Sequence, residues 1–234
     1  MTFAGGGMHQ FLFGIYPYVC LTVFFFASLI RFDRDQYTWK SDSSQLLRAC
    51  ELRWGSNLFH FGVLFIFFGH LFGMLTPHWA YAWLISAGHK QLLAMVSGGI
   101  AGAAAIAGLS LLIHRRIADP RISSNTRPWD MAVLGILWAQ LALGLTTIAF
   151  SSRHLDGGMM ERLALWAQYL VTLRPGAAQY IADVPWPYKT HIVLGVTIFL
   201  IFPFTRLVHI WSGFAAVAYL FRPYQLVRTR RRIA

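Results

Sequence analysis

The sequence predicts an all-α integral membrane bundle of five transmembrane helices, and three observations lead there. Five runs of about 20 apolar residues, the length that crosses a hydrocarbon core of about 30 Å, recur along the chain. Of its 234 residues 56% are hydrophobic and 12% charged, with a mean hydropathy of +0.51, too apolar for a soluble domain that must present a polar surface. The basic residues behind the net charge of +11 gather in short loops beside the apolar runs, which reads as membrane topology rather than as a nucleic-acid surface.

We read one membrane domain over residues 1–234, with spans near 10–30, 57–75, 90–113, 130–150 and 190–211 and a cytoplasmic tail over 212–234. The first ten residues carry no Lys or Arg, whereas Arg31, Arg34, Lys40, Arg48 and Arg53 follow the first span, so the chain starts outside. No basic flank precedes that span and no small-residue cleavage site follows it, so it is expected to stay in the mature protein. Alternation of five spans then puts fifteen of the 20 basic residues on the inner side and the C-terminus in the cytoplasm. Cys20 falls in a span and Cys50 in an inner loop, which fits neither a disulfide nor a ligand pair.

The third span contains small residues at Gly98, Gly102 and Ala105, a pattern that lets helices approach closely. Between spans four and five, GGMMERLALWAQYLVTL keeps Met160, Leu163, Leu165, Trp166 and Leu170 at roughly helical spacing, which predicts an interfacial helix on the outer leaflet.

Chemistry concentrates in four histidines. Span two carries His60 and His70 in an apolar background, and span five has His191 and His209 near its ends. Hydrocarbon tolerates an imidazole only where the ring meets a partner, water or a cofactor. The two spans run in opposite directions, so His60 pairs with His209 on the inner side and His70 with His191 on the outer side. Each pair suits the axial positions of a haem iron. Ten residues separate the histidines of span two, roughly 15 Å of helix, and eighteen those of span five, roughly 27 Å. Helix tilt and inclined haem planes are expected to absorb the difference. As a continuous helix, span five would put His191 and His209 on one face. Arg115, Arg116 and Arg206 lie at the inner face, where guanidinium groups serve either haem propionates or positive-inside topology.

The blocks IYPY at 15–18, QYTWK at 36–40, SNLFH at 56–60, GHLFGMLTPHW at 69–79, HKQ at 89–91, RLVHIWS at 206–212 and YQLVR at 224–228 resemble the gamma subunit of respiratory nitrate reductase, the dihaem cytochrome b anchor of that enzyme. The resemblance covers nearly the whole chain, departing at the glycine-rich start, the arginine-rich end and the segment between Trp79 and Lys90. It implies two haem b groups, a proximal one on His60 and His209 toward the cytoplasm and a distal one on His70 and His191. It also implies a quinol site at Lys90 beside the distal haem, with quinol drawn from the quinone pool of the cytoplasmic membrane. Its implied partners are an iron-sulfur beta subunit and a molybdenum alpha subunit that reduces nitrate, a reaction this chain would not perform alone. Two readings compete with it: a dihaem quinone-linked cytochrome b of another respiratory complex, and a haem-free helical anchor or channel whose histidines bridge helices.

Overall fold

The computed structural model describes residues 3–35 and 49–211. The tail expected over 212–234, the QYTWK block and the YQLVR block lie outside the described residues. The described residues are helical, with no strand among them. In chain order they form α1 (Phe3–Gln10), a π-helical turn (Phe11–Ile15), α2 (Tyr16–Asp35), α3 (Ala49–Leu75), α4 (His78–Tyr81), α5 (Ala87–Ala118), α6 (Pro120–Ser123), α7 (Pro128–Ser151), α8 (Gly158–Val171) and α9 (Trp186–Ile201). A 3-10 helix (Ala177–Ile181) precedes α9, and two more (Phe202–Phe204 and Arg206–His209) follow it.

Five helical stretches are long and apolar enough to cross a membrane: Gly6–Arg34, Glu51–Leu75, Ala87–Ala118, Pro128–Ser151 and Trp186–Phe204. Their outward faces carry large apolar side chains such as Phe61, Phe72 and Ile100, each 65–70% exposed in the isolated chain, as lipid contact requires.

Proline sets most of the helix limits, because it has no amide hydrogen and keeps the residue before it out of the helical region. Pro77 follows the end of α3, Asp119–Pro120 ends α5, Pro128 opens α7, and Pro187 lies in the first turn of α9. Within the first span, Pro17 cannot donate to the carbonyl of Phe13. The indole nitrogen of Trp166 donates to that carbonyl instead, at 2.9 Å, and the preceding turn widens into the π geometry of Phe11–Ile15.

The packed neighbours run α3–α5, α5–α7, α7–α9 and α9–α2, while α3 and α9 do not form a packed pair. The closest approach is between α3 and α5. A Cβ at Gly62 would stand 2.5 Å from the carbonyl oxygen of Ala101, and one at Gly108 would stand 2.5 Å from the amide of Phe59. Of the small residues expected to mediate packing, Ala105 is fully buried here and Gly102 meets Leu145 of α7, whereas Gly98 has open space. Gly55 and Gly62, on the other helix, complete the contact.

The segment expected as an interfacial helix is helical as α8, and its inner face is integral to the fold. Trp166 and Leu170 are buried with Phe13, Ile181, Val184 and Tyr188. Gln168 donates to the carbonyls of Met74 and Thr76 at 2.9 and 3.4 Å, satisfying acceptors freed where α3 ends. Helix α8 and the following 3-10 helix thus close the end of the bundle at which α3 finishes.

The largest departure from expectation is in span five. A continuous helix to residue 211 would need the amide that Pro203 lacks. Instead α9 ends at Ile201, Thr205 is extended (φ −119°, ψ 179°), and His209 sits in a separate 3-10 helix. Neither the straight 27 Å segment nor the one-face register expected for His191 and His209 therefore applies.

Substituting Gly62→Ala should force α3 and α5 apart and lower stability by about 1–3 kcal/mol, read as a lower melting temperature of the detergent-purified protein; an unchanged melting temperature would contradict the close contact.

Candidate functional site

Each histidine is aimed by its own stretch of backbone. In α3, Nδ1 of His60 bonds the carbonyl of Ser56 at 2.7 Å and Nδ1 of His70 bonds that of Ile66 at 2.8 Å. In the 3-10 helix, Nδ1 of His209 bonds the carbonyl of Arg206 at 2.6 Å. A carbonyl oxygen only accepts, so Nδ1 carries the hydrogen in all three rings and Nε2 keeps its lone pair. A helical histidine bonded back to residue i−4 also projects Nε2 away from its own helix.

His191 is held differently. The amide nitrogen of Gln140, on α7, lies 3.4 Å from its Nε2 and donates to its main-chain carbonyl at 3.1 Å, while Nδ1 is a buried nitrogen with no hydrogen-bond partner. Gly144, one turn beyond Gln140, makes room for the ring: a Cβ there would stand 3.0 Å from Cε1 of His191.

The structure brings the four rings together in the expected pairs. The ring centres of His60 and His209 are 6.3 Å apart with an interplanar angle of 78°, and those of His70 and His191 are 6.2 Å apart at 41°. Two imidazoles hydrogen-bonded to each other would have centres about 5 Å apart, since N···N is about 2.9 Å and each nitrogen is about 1.1 Å from its ring centre. Two imidazoles on one metal, with bonds of about 2.0–2.1 Å, place their centres about 6.3 Å apart. The observed spacings match the second arrangement. Among the described residues no cluster of three or more His, Cys, Asp or Glu could hold a bare ion. A centre offered two imidazoles only must bring its remaining ligands with it, as a porphyrin does. The donor set and its spacing therefore fit haem.

Beside the His60–His209 pair is a charged group. Nε of Arg206 meets Oδ1 of Asp130 at 2.6 Å, with Asp130 almost fully buried in the first turn of α7. Arg115, 2% exposed, and Arg116 end α5, where cations complement the helix dipole. Nη1 of Arg116 donates to Oγ1 of Thr126 at 3.3 Å. Arg116, Arg206 and Asp130 lie within electrostatic reach of one another. Arg206, expected to face a propionate, already has a carboxylate partner of its own.

At the opposite end, the three residues of the HKQ block take three roles. Ser86 caps α5 by accepting from the amide of His89 at 3.3 Å, and its hydroxyl meets Nδ1 of the same residue at 2.7 Å. Lys90 is half-buried, with Nζ 3.7 Å from the centre of the Tyr81 ring, a cation–π contact. Gln91 is buried and donates to the carbonyls of Ser151 and His154 at 3.2 and 2.7 Å, tying α5 to the end of α7. The Tyr81 ring lies 5.2 Å from that of His78, tilted by 43°, and Nδ1 of His78 meets Oε1 of Glu161 at 2.7 Å. Burial, and after it the half-buried carboxylate of Glu161, raises the Tyr81 phenol above its usual range.

Sequence reasoning did not single out Gln140, Asp130, Gly144 or Tyr81. Gln140 and Asp130 left a signal, since an amide inside an apolar span and an acid at its start need partners.

The model of the family described as nitrate reductase gamma subunit matches residues 9–230. The chain is 49% identical to the respiratory nitrate reductase 2 gamma chain of Escherichia coli K12, covering 96% of this chain and 98% of that one. It is 48% identical to the respiratory nitrate reductase 1 gamma chain of the same organism, over 95% and 98% of the two. Identity to the nitrate reductase gamma chain of Bacillus subtilis 168 is 37%, over 94% and 98%.

Replacing Gly144 with Ala should crowd the His191 ring and disturb only the His70–His191 pair: a b-type signal assigned to that pair should weaken by difference spectroscopy while the other persists. Two undisturbed signals would remove Gly144 from the site.

Proposed function

The chain belongs to the nitrate reductase gamma subunit family, a membrane subunit of respiratory nitrate reductase, and on that premise we propose that it oxidises quinol near its outer face and passes the electrons inward to cytoplasmic subunits that reduce nitrate. The observation that carries the proposal is the pair of imidazole pairs, with ring centres 6.3 and 6.2 Å apart, one toward each end of the bundle.

In this reading His60 and His209 hold one haem b and His70 and His191 hold a second. Each haem, when bound, supplies a one-electron centre. His60, His70 and His209 would present Nε2 to the iron, and the carbonyls of Ser56, Ile66 and Arg206 keep those three rings from rotating away. Arg116, with Arg115, brings positive charge to the inner end, where propionates are favoured. Arg206 contributes there through whatever its guanidinium retains beyond Asp130.

Lys90 is the residue proposed to meet quinol. Its contact with the Tyr81 ring holds the ammonium at the end of the bundle where α5 begins. A cation there donates a hydrogen bond to a quinol oxygen and stabilises negative charge as the hydroxyl proton departs. The two protons leave to the outer aqueous side.

The topology follows from the basic residues, fifteen inside and five outside, with the N-terminus outside and the C-terminus in the cytoplasm. The protein is then a multi-pass subunit of the cytoplasmic membrane, served by its quinone pool. Its inner loops and tail face an iron-sulfur subunit and, beyond it, a molybdenum subunit. Each electron moved inward against a positive-outside potential costs about 2.3 kcal/mol per 100 mV. Proton release outside adds to the same charge separation, so the reaction conserves energy.

The test is a replacement series. His60→Ala and His209→Ala should each abolish one b-type signal and leave the other, while His70→Ala and His191→Ala should do the reverse; retention of both signals in any of the four would overturn the assignment. Lys90→Ala should leave both signals intact and reduce kcat/KM for quinol by about tenfold to a hundredfold, the value of a charge-assisted hydrogen bond; unchanged kinetics would remove Lys90 from the quinol site.

A further inference from the structure

The turn that carries His209 is irregular, and irregular backbone inside a membrane bundle must be tied to its surroundings. Two arginine interactions tie this one. From α2, Nη1 of Arg31 donates to the carbonyls of Pro203 and Thr205 at 2.5 and 3.3 Å, satisfying acceptors that the broken helix leaves behind. From α7, the carboxylate of Asp130 takes Nε of Arg206 at 2.6 Å. Arg206 is itself the residue whose carbonyl accepts from Nδ1 of His209, at 2.6 Å.

A short chain of contacts therefore runs from Asp130 through one residue to the ring. Oδ1 of Asp130 fixes the Arg206 side chain, and the main chain of Arg206 fixes the tautomer and direction of His209. The rest of the turn agrees with this. Thr205 caps the 3-10 helix by accepting from the amide of Leu207 at 3.3 Å, and Val208, 1% exposed, packs with Phe24 and Phe202. Asp130 is 9% exposed, and its second oxygen, Oδ2, is buried without a hydrogen-bond partner. An ionised carboxylate in such a place is kept by its cationic neighbours, and separating it from them is costly.

We infer that Asp130 is a positioning residue for His209, acting through Arg206 to set how that imidazole faces His60. This rests on the reading that His60 and His209 share a haem. Arg31 holds the start of the same turn, so α2 and α7 together fix a ligand that α9 cannot carry on its own helix. The other pair is oriented by different groups: His70 bonds the carbonyl of Ile66, and His191 is held by Gln140.

The experiment compares D130N, R206K, the double variant and H209A in the purified full chain within its complex, by electron paramagnetic resonance and redox titration. R206K keeps the charge and loses the Nε geometry, so a change in it does not come from charge alone. The expected result is an altered low-spin signal and a displaced midpoint potential for the inner haem in D130N and in R206K. The double variant should change no further than the larger single effect, and the outer haem's signal should be untouched throughout, which also reports that the bundle has folded. An unaltered inner signal in D130N and R206K, with that signal lost in H209A, overturns the positioning role alone. Loss of both haems together in D130N and R206K also overturns it, because the pair would then support the fold generally. A wild-type inner signal in H209A overturns both this role and the haem reading beneath it.

Discussion

The interaction on which the rest depends is the hydrogen bond from a histidine's Nδ1 to a main-chain carbonyl. An imidazole in hydrocarbon has two nitrogens to satisfy, and giving one of them to the helix's own backbone settles the tautomer and turns the other nitrogen outward. His60, His70 and His209 are all held this way, at 2.6–2.8 Å. The bundle then holds α3 and the α9 segment so that opposed rings face each other with centres 6.3 and 6.2 Å apart, too far to bond each other directly. It does so by packing α3 tightly on α5, through Gly55, Gly62 and Gly108, and leaving α3 and α9 without a helix–helix interface of their own.

Proline is the second constraint. Pro17 releases a carbonyl that Trp166 takes up, which anchors α8 and the end-capping cluster to the first span. Pro203 ends α9 before His209 is reached, so that ring is carried by a turn rather than by the helix. The carbonyls left by that break and the charge of Arg206 are met by Arg31 and Asp130 from other helices. The inner pair is thus supported by α2, α3, α7 and the segment after α9. The outer pair is supported more simply, by α3, α9 and the Gln140–Gly144 stretch of α7.

Much of this was legible in the sequence, and the reasons are physical. Five spans are visible because hydrocarbon thickness fixes their length. The pairing of His60 with His209 and of His70 with His191 follows from antiparallel direction alone, and the ring distances agree with it. What the sequence hid is what depends on neighbours distant along the chain. The 27 Å expected between the histidines of span five came from treating Pro203 as tolerable inside a helix, although its missing amide was in plain view. Asp130 read as one acid at a helix start, where the dipole would favour it anyway, and only the fold places it against Arg206. The small-residue pattern is conspicuous on span three, yet Gly55 and Gly62 on span two make the same close contact. Lys90 came from the family resemblance. Its contact with Tyr81 could not have been foreseen from the spacing of either residue.

The central claim is that each of the two imidazole pairs receives one haem. The most direct measurement is the protohaem content of the purified complex, by extraction and pyridine haemochrome absorbance, referred to the amount of this chain. The account predicts two protohaems per chain. A value of zero or one would contradict it, because at least one pair of rings with centres near 6.3 Å would then be holding something other than a haem iron.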